Sequence, residues 1–230
     1  MSQPAISPLP RMLEWIRPPQ QERTRQALGR MLDAAEALVA EKGFDDAGIA
    51  EIAQRSDSSV GGFYRRFEDK QGLLQALHER FCAEARATAE VALDPVRWAG
   101  ASVVEIINQF TAFLVQIYRE REGLFRAFLL CGSTDAAVRE RTQLLFQFLA
   151  QRLNALLDRR REEIRHPDPE LAASAGLQVL IGTLNHVVLV QPPALGLSDE
   201  RLPTELGRVF VSYLGAGTLR TIPKGKRISR

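Results

Sequence analysis

The sequence predicts an all-α fold, with a small N-terminal three-helix unit ahead of a larger helical bundle. Three observations carry this. From Leu28 onward, apolar residues recur at spacings of three and four, the period of a helix with one buried face. Each interruption of that pattern holds Gly, Pro or a side chain able to cap a helix. No stretch alternates polar and apolar residues as a half-buried strand does.

Taken in order, the first 20 residues hold Pro4, Pro8, Pro10, Pro18 and Pro19, which prevent a continuous helix, so 1–20 reads as a flexible arm. A first helix begins near Gln21, carries Leu28, Leu32, Ala35 and Val39 on one face, and stops at Gly43, a residue suited to a left-handed helix end. A second runs over Gly48–Arg55, with Ile52 and Ala53 inward and Glu51 placed to reach back to a cap N–H. Ser56-Asp57-Ser58 is a turn, because these side chains hydrogen-bond locally in competition with helix. Ser59 caps a third helix over roughly Val60–Arg66, and Asp69 caps a long fourth passing Leu73, Leu77 and Phe81. After Pro95 the pattern gives helices over about Trp98–Arg119, Gly123–Cys131, Asp135–Ile164, Pro169–Val190 and Glu200–Leu214. The final stretch, 217–230, has Arg220, Lys224, Lys226, Arg227 and Arg230 and no acid, and reads as a disordered basic tail. The expected division is therefore 1–20 arm, 21–68 helix-turn-helix domain, 69–216 helical bundle and 217–230 tail.

At 230 residues, 45% hydrophobic and 25% charged, the chain has ordinary globular composition. Its greasiest segment, around Leu177–Val190, is interrupted by Thr183, Asn185 and His186, so no membrane span is expected. The N-terminus lacks a charged start followed by an apolar run, and the only cysteines are Cys82 and Cys131; the expected compartment is the cytoplasm. His78, His166 and His186 lack ligand spacing, so no metal is expected. No Gly-x-Ser-x-Gly elbow occurs, and neither a catalytic group nor a cofactor is expected. Residues 21–80 carry 9 Lys/Arg against 11 Asp/Glu, so charge alone does not point to a nucleic acid there. That case rests on pattern.

Two short helices joined by a three- to four-residue turn, the second exposed, make a helix-turn-helix. The second is apolar through Phe63 and Phe67 and presents Val60, Gly61, Tyr64 and Arg65 elsewhere. Gly61 and Gly62 are poor helix formers, each costing about 1 kcal/mol against Ala, which implies a close approach to the backbone, DNA being one candidate. Ser59 at the helix start, the Tyr64 hydroxyl and the Lys70 ammonium are donors suited to phosphate oxygens. The string Leu32-Asp33-Ala34-Ala35, Gly43-Phe44, Ile52-Ala53, Ser59-Val60-Gly61-Gly62-Phe63-Tyr64-Arg65-Arg66-Phe67, Lys70 and Leu73-Leu74 resembles the TetR family of repressors over about residues 24–75. The resemblance implies a cytoplasmic homodimer that binds double-stranded DNA at a palindromic operator and answers to a small-molecule effector. It places Tyr64 and Lys70 on phosphates, Val60, Gly61 and Arg65 at base edges, and Arg23 and Arg25 near the backbone or minor groove. The expected DNA-binding set is Arg25, Gly48, Ser59, Val60, Gly61, Gly62, Tyr64, Arg65 and Lys70. Family members often carry Ser or Thr where this chain has Ala47 and Gly48, Thr where it has Gly62, and Ala-Gly-Val where it has Ser56-Asp57-Ser58.

Six of the eleven phenylalanines lie between Phe110 and Phe148. Most read as core, yet pockets between helices are lined by such residues with a few polar groups among them. The expected effector is apolar, and its candidate site is Asn108, Phe110, Thr111, Phe128, Cys131 and Phe146. Leu177, Leu180, Ile181, Leu184 and Val188, with Gly176 and Gly182, and then Val209, Phe210, Tyr213 and Leu214 read as a dimer face, or else as the core of the single chain. The rival functions are a small-molecule-binding protein of the same fold without DNA binding, and a helical-bundle enzyme or carrier.

Overall fold

A computed structural model describes residues 22–217; the arm 1–20 and nearly all of the basic tail 217–230 lie outside the described residues. Among these the chain forms helices and no strand: α1 Glu22–Lys42, α2 Ile49–Arg55, α3 Val60–Tyr64, α4 Lys70–Ala92, α5 Val103–Glu120, α6 Glu122–Thr134, α7 Ala136–Asp158, a 3-10 turn Arg161–Glu163, α8 Pro169–Val190 and α9 Leu202–Leu214. Contacts group them in two compact units. One comprises the described residues up to Thr88 with Tyr118–Phe148; the other comprises Ala89–Ile117 with the described residues from Leu149 on.

The first unit holds the helix-turn-helix. Gly43 closes α1 at φ +85°, where a side chain would be strained, and its N–H returns to the Val39 carbonyl at 2.9 Å. Met31, Leu38, Ile52, Phe63, Phe67, Leu73, Leu74 and Leu77 form a core that continues into Leu124, Ala127 and Phe128 of α6 and Val138 of α7. At Gly123, the second residue of α6, a Cβ would stand 2.7 Å from the Val39 carbonyl oxygen, so its lack of a side chain lets α6 meet the α1 backbone. Arg80 of α4 binds Asp33 at 2.5 Å and Glu36 at 2.6 Å, and Arg121 binds Glu36 at 3.3 Å and Glu84 at 3.1 Å. The polar rim thus ties together the same helices as the core.

In the second unit α5 begins at Val103, five residues later than periodicity suggested. Asp94–Ala101 forms successive turns, held by the buried Arg160, whose guanidinium donates to the carbonyls of Trp98, Ala101 and Leu156. The true start is a capping box. The Ser102 N–H donates to Glu105 at 2.8 Å, and the Glu105 N–H to the Ser102 hydroxyl at 3.3 Å. Asp168 caps α8 through the Leu171 N–H at 3.0 Å, with Pro169 at the first helical position. Gly215 ends α9 at φ +65°.

Two expectations bear on α8. Its 22 residues are long and apolar enough, on length and composition alone, to cross a membrane, a test that the core helix of a soluble protein also passes. The residues read as a dimer face, or else as the chain's own core, divide between inside and outside. Leu177, Leu180, Leu184 and Val188 are buried within the chain, as are Phe210 and Leu214 of α9, and Ile181 is half-buried. Gly176 serves the same interior, since a Cβ there would collide with the Phe210 ring. What α8 and α9 leave outward is Leu171, Val179, Leu189, Val190, Val209 and Tyr213, with open space around Gly182. Because α8 is apolar all round, periodicity alone does not say which of its sides faces inward.

Candidate nucleic-acid interface

The α2–turn–α3 segment is built by local hydrogen bonds that its sequence dictates. Ser56 is buried and returns its hydroxyl to the Ala53 carbonyl at 3.1 Å, and Arg30 Nε reaches the Ser56 carbonyl at 3.4 Å. Asp57 occupies the left-handed region at φ +51°, tolerable for Asp because its short polar chain suits that conformation. The Ser58 N–H donates to the Ala53 carbonyl at 2.8 Å, which turns the chain toward α3. Ser59 is extended, and its hydroxyl accepts the Gly62 N–H at 3.0 Å, the expected cap. Asp69 likewise caps α4 through the Gly72 N–H at 2.8 Å. Glu51 does not reach back to its own helix start; its carboxylate is taken by Lys42.

α3 ends at Tyr64, two residues short of its expected extent, with Arg65 as its cap. Phe63 and Phe67 are buried side by side, centroids 5.1 Å apart, and seat the helix. Tyr64 stands edge-on to Phe63 at 5.4 Å and is 52% exposed, so its ring is braced while its surface stays open. Val60, Gly61 and Arg65 are exposed with it. Gly62 has an intramolecular reason, whereas a Cβ at Gly61 would make only ordinary contacts. A Cβ at Gly62 would collide with the Ser58 hydroxyl, and the Arg65 guanidinium folds back along the helix to within 3.5 Å of that position and 3.9 Å of the one at Gly61. Behind them, Arg66 donates to the Gly62 carbonyl at 3.1 Å, and burial lowers its pKa, with the charges of Arg65 and Arg30 adding to the effect.

The remaining predicted residues divide. Gly48 is the exposed, extended cap of α2 and offers no side-chain acceptor. Arg25 is exposed in the first turn of α1, whereas the Arg23 side chain lies outside the described residues. Lys70 opens α4. Its ammonium donates to the Asp45 carbonyl at 2.9 Å and lies 4.6 Å from the Phe44 ring centroid. Burial lowers its pKa against the opposing pull of Asp45 and Asp46. One of its three donors is thereby used in holding the α1–α2 loop.

The six effector candidates fall in both units. In the first, Phe128 is buried against His78 at 4.8 Å and Phe81 at 5.7 Å, and Phe146 is half-buried. Cys131 accepts from Gln71 at 2.6 Å and borders a half-open cleft of about 690 Å³ with Phe44, Leu74, Ala127 and Leu130. In the second, Asn108 is exposed, Phe110 is buried, and Thr111 is fully buried with a hydroxyl that finds no partner. Burial pushes the Cys82 thiol up to about 11 and raises that of Cys131, so both stay protonated. His78, which faces Thr142 at 3.1 Å, is pushed down to about 4 by burial and by Arg141, against the pull of Asp135.

With this geometry in place, comparison with known proteins is decisive. Residues 31–77 match the profile of bacterial regulatory proteins of the tetR family, and residues 102–214 match the tetracyclin repressor-like C-terminal domain. The chain belongs to the TetR family of transcriptional regulators. Solved structures share the fold. GusR of Salmonella enterica, 20% identical, covers 86% of this chain and 99% of its own at a TM-score of 0.62. RolR in complex with resorcinol is 24% identical over 85% and 90%, TM-score 0.55. FadR of Bacillus subtilis in complex with stearoyl-CoA is 17% identical over 80% and 98%, TM-score 0.59. None of the curated proteins matches the sequence. In this TetR-family regulator, α2 and α3 are the helix-turn-helix, α3 standing second as the recognition helix does.

Proposed function

We propose that this protein is a ligand-responsive transcriptional repressor that binds a palindromic operator as a homodimer in the cytoplasm. The observation that carries the reading is α3, a helix seated on two buried phenylalanines with Gly61, Tyr64 and Arg65 turned outward. In this reading 21–68 is the DNA-binding domain and 69–216 the effector and dimerisation domain. Tyr64 and Lys70 hold phosphates together with Ser59, Gly48 and Arg25, while Val60, Gly61 and Arg65 face base edges. The outward stripe of α8 and α9, through Val179, Gly182, Leu189, Val190, Val209 and Tyr213, pairs with its copy and sets two recognition helices about 34–36 Å apart.

The effector is a small apolar molecule received in the helical domain by groups among Asn108, Phe110, Thr111, Phe128, Cys131 and Phe146. RolR and FadR, solved with resorcinol and stearoyl-CoA, support a small-molecule effector. It releases DNA by binding one conformation better than the other.

The direct test is selection from a randomised duplex pool followed by titration of the enriched duplex. Arg65→Ala is expected to cost about 1–3 kcal/mol per half-site on that duplex and far less on a shuffled one. An equal loss on both reassigns Arg65 to the backbone. A chain that enriches no duplex overturns the repressor reading in favour of a ligand-binding protein of the same fold.

A further inference from the structure

Successive residues of a helix point about 100° apart. On α3 this makes Gly61 and Arg65 the centre of the outward face, with Tyr64 on one flank and position 62 on the other. Tyr64 brings a hydroxyl to its flank; Gly62 brings nothing. The space a side chain at 62 would fill is taken instead by the hydroxyl of Ser58, arriving from the turn, with the Ser59 hydroxyl 3.4 Å and the Arg65 guanidinium 3.5 Å from the same point. The two serines differ in how they are held. The Ser59 oxygen accepts the Gly62 N–H, which fixes that hydroxyl in the cap and leaves its proton to donate. The Ser58 backbone is bonded to Ala53, but its half-exposed hydroxyl has no hydrogen-bond partner among the described residues.

We infer that Ser58 supplies the DNA contact on this flank, its hydroxyl donating to a phosphate oxygen, and that position 62 is glycine so that this hydroxyl has room. The inference rests on the reading of α3 as a recognition helix. Ser58 and Tyr64 then bracket the face centred on Arg65 with two neutral donors. A neutral hydroxyl displaces no counterion, so the contact adds affinity without adding to the salt dependence. It also carries no sequence information, because every phosphate is alike.

The test uses the full-length protein, the duplex enriched from a randomised pool, and a shuffled duplex, each titrated across a series of salt concentrations. Ser58→Ala is expected to weaken binding about tenfold per recognition helix on both duplexes, with the salt slope unchanged. Gly62→Ala is expected to do the same by displacing the hydroxyl, and to add little once Ser58 is already Ala. Gly62→Thr in the Ser58→Ala background is expected to recover binding, since its hydroxyl occupies the vacated position. Thermal unfolding of each variant controls for folding, and Ser58→Cys, nearly isosteric but a poor donor, stands in if Ser58→Ala unfolds. Full binding by Ser58→Ala, or additive losses from the two positions, overturns the inference while leaving the recognition helix in place. Failure of the unaltered protein to enrich any duplex overturns the recognition-helix reading, and the inference with it.

Discussion

α3 and α8 solve opposite problems. α3 has five residues, two of them glycine, and far too few hydrogen bonds to persist alone. Its place is fixed from outside by the Ser59 cap, the Asp57 turn and the Phe63 and Phe67 rings beneath it. α8 has 22 residues and a well-made start, and it carries apolar side chains on both sides. Its inner side meets α9 closely enough that Gly176 has room for no side chain against Phe210. Its outer side leaves Val179 56% and Val190 59% exposed. A short helix with one apolar side is an anchored tool, and whatever it turns outward is available to a partner. A long helix apolar all round has more apolar surface than its own chain covers, which fits the pairing proposed above.

The largest effect should come from cutting the anchor. Phe63→Ala removes a fully buried ring beneath α3 and is expected to cost about 3–5 kcal/mol, comparable with the whole stability of many domains. Denaturant unfolding should show it, and DNA binding should go with it. An equally stable Phe63→Ala would mean that α3 is held by its caps alone.

Acid should loosen the same unit more gently. His78 is neutral in the folded chain down to about pH 4 but takes a proton near 6.5 when unfolded. The unfolded state therefore binds the extra proton between those values, and stability falls as pH drops from about 6.5 to 4, then levels below. The loss is about 3 kcal/mol in all, from burial first and Arg141 second. Denaturant midpoints measured across this range should slope, and His78→Gln should flatten the slope. A slope that survives the substitution assigns the effect to other groups.

Legibility follows the same division. The Ser59 and Asp69 caps, the Gly43 helix end and the inward Phe63 and Phe67 were readable because each depends on residues within a turn or two. The competition that Lys42 wins for Glu51 was not readable, since it bridges two helices. The Ser102–Glu105 box was in the sequence as Ser-x-x-Glu, but the periodicity running through Trp98 masked it. The outward side of α8 depends on where α9 lies, which no local pattern contains. Ser58 reads as a turn residue in the sequence, and only the folded chain brings its hydroxyl over Gly62.

The outer stripe of α8 is tested by charge. Val179→Glu should leave helicity and thermal unfolding nearly unchanged, because the side chain is 56% exposed. In a dimer joined at this stripe, it should shift sedimentation toward monomer and weaken operator binding about 10²-fold through lost bivalency. Leu177→Glu, one face around, should unfold the unit instead. If Val179→Glu remains dimeric with full affinity, the stripe is not the interface.

The smallest effect concerns the start of α2. Gly48 sits in the extended conformation that caps prefer, at φ −71° and ψ 141°, with nothing within 4 Å of a Cβ built there. A serine therefore fits without strain, and its hydroxyl is positioned to accept an N–H from the first turn, which now has no side-chain cap. Glycine is itself a fair cap, so the gain is only about a few tenths of a kcal/mol. That is a rise of roughly 1 °C in melting temperature for a chain of this size. DNA affinity is the more telling measurement. A capping hydroxyl uses its oxygen as acceptor and keeps its proton to donate, so Gly48→Ser should also tighten binding a few-fold if α2 starts against a phosphate. A gain in stability without a gain in affinity would leave Gly48 outside the interface and confine DNA contact to α3 and the turn before it.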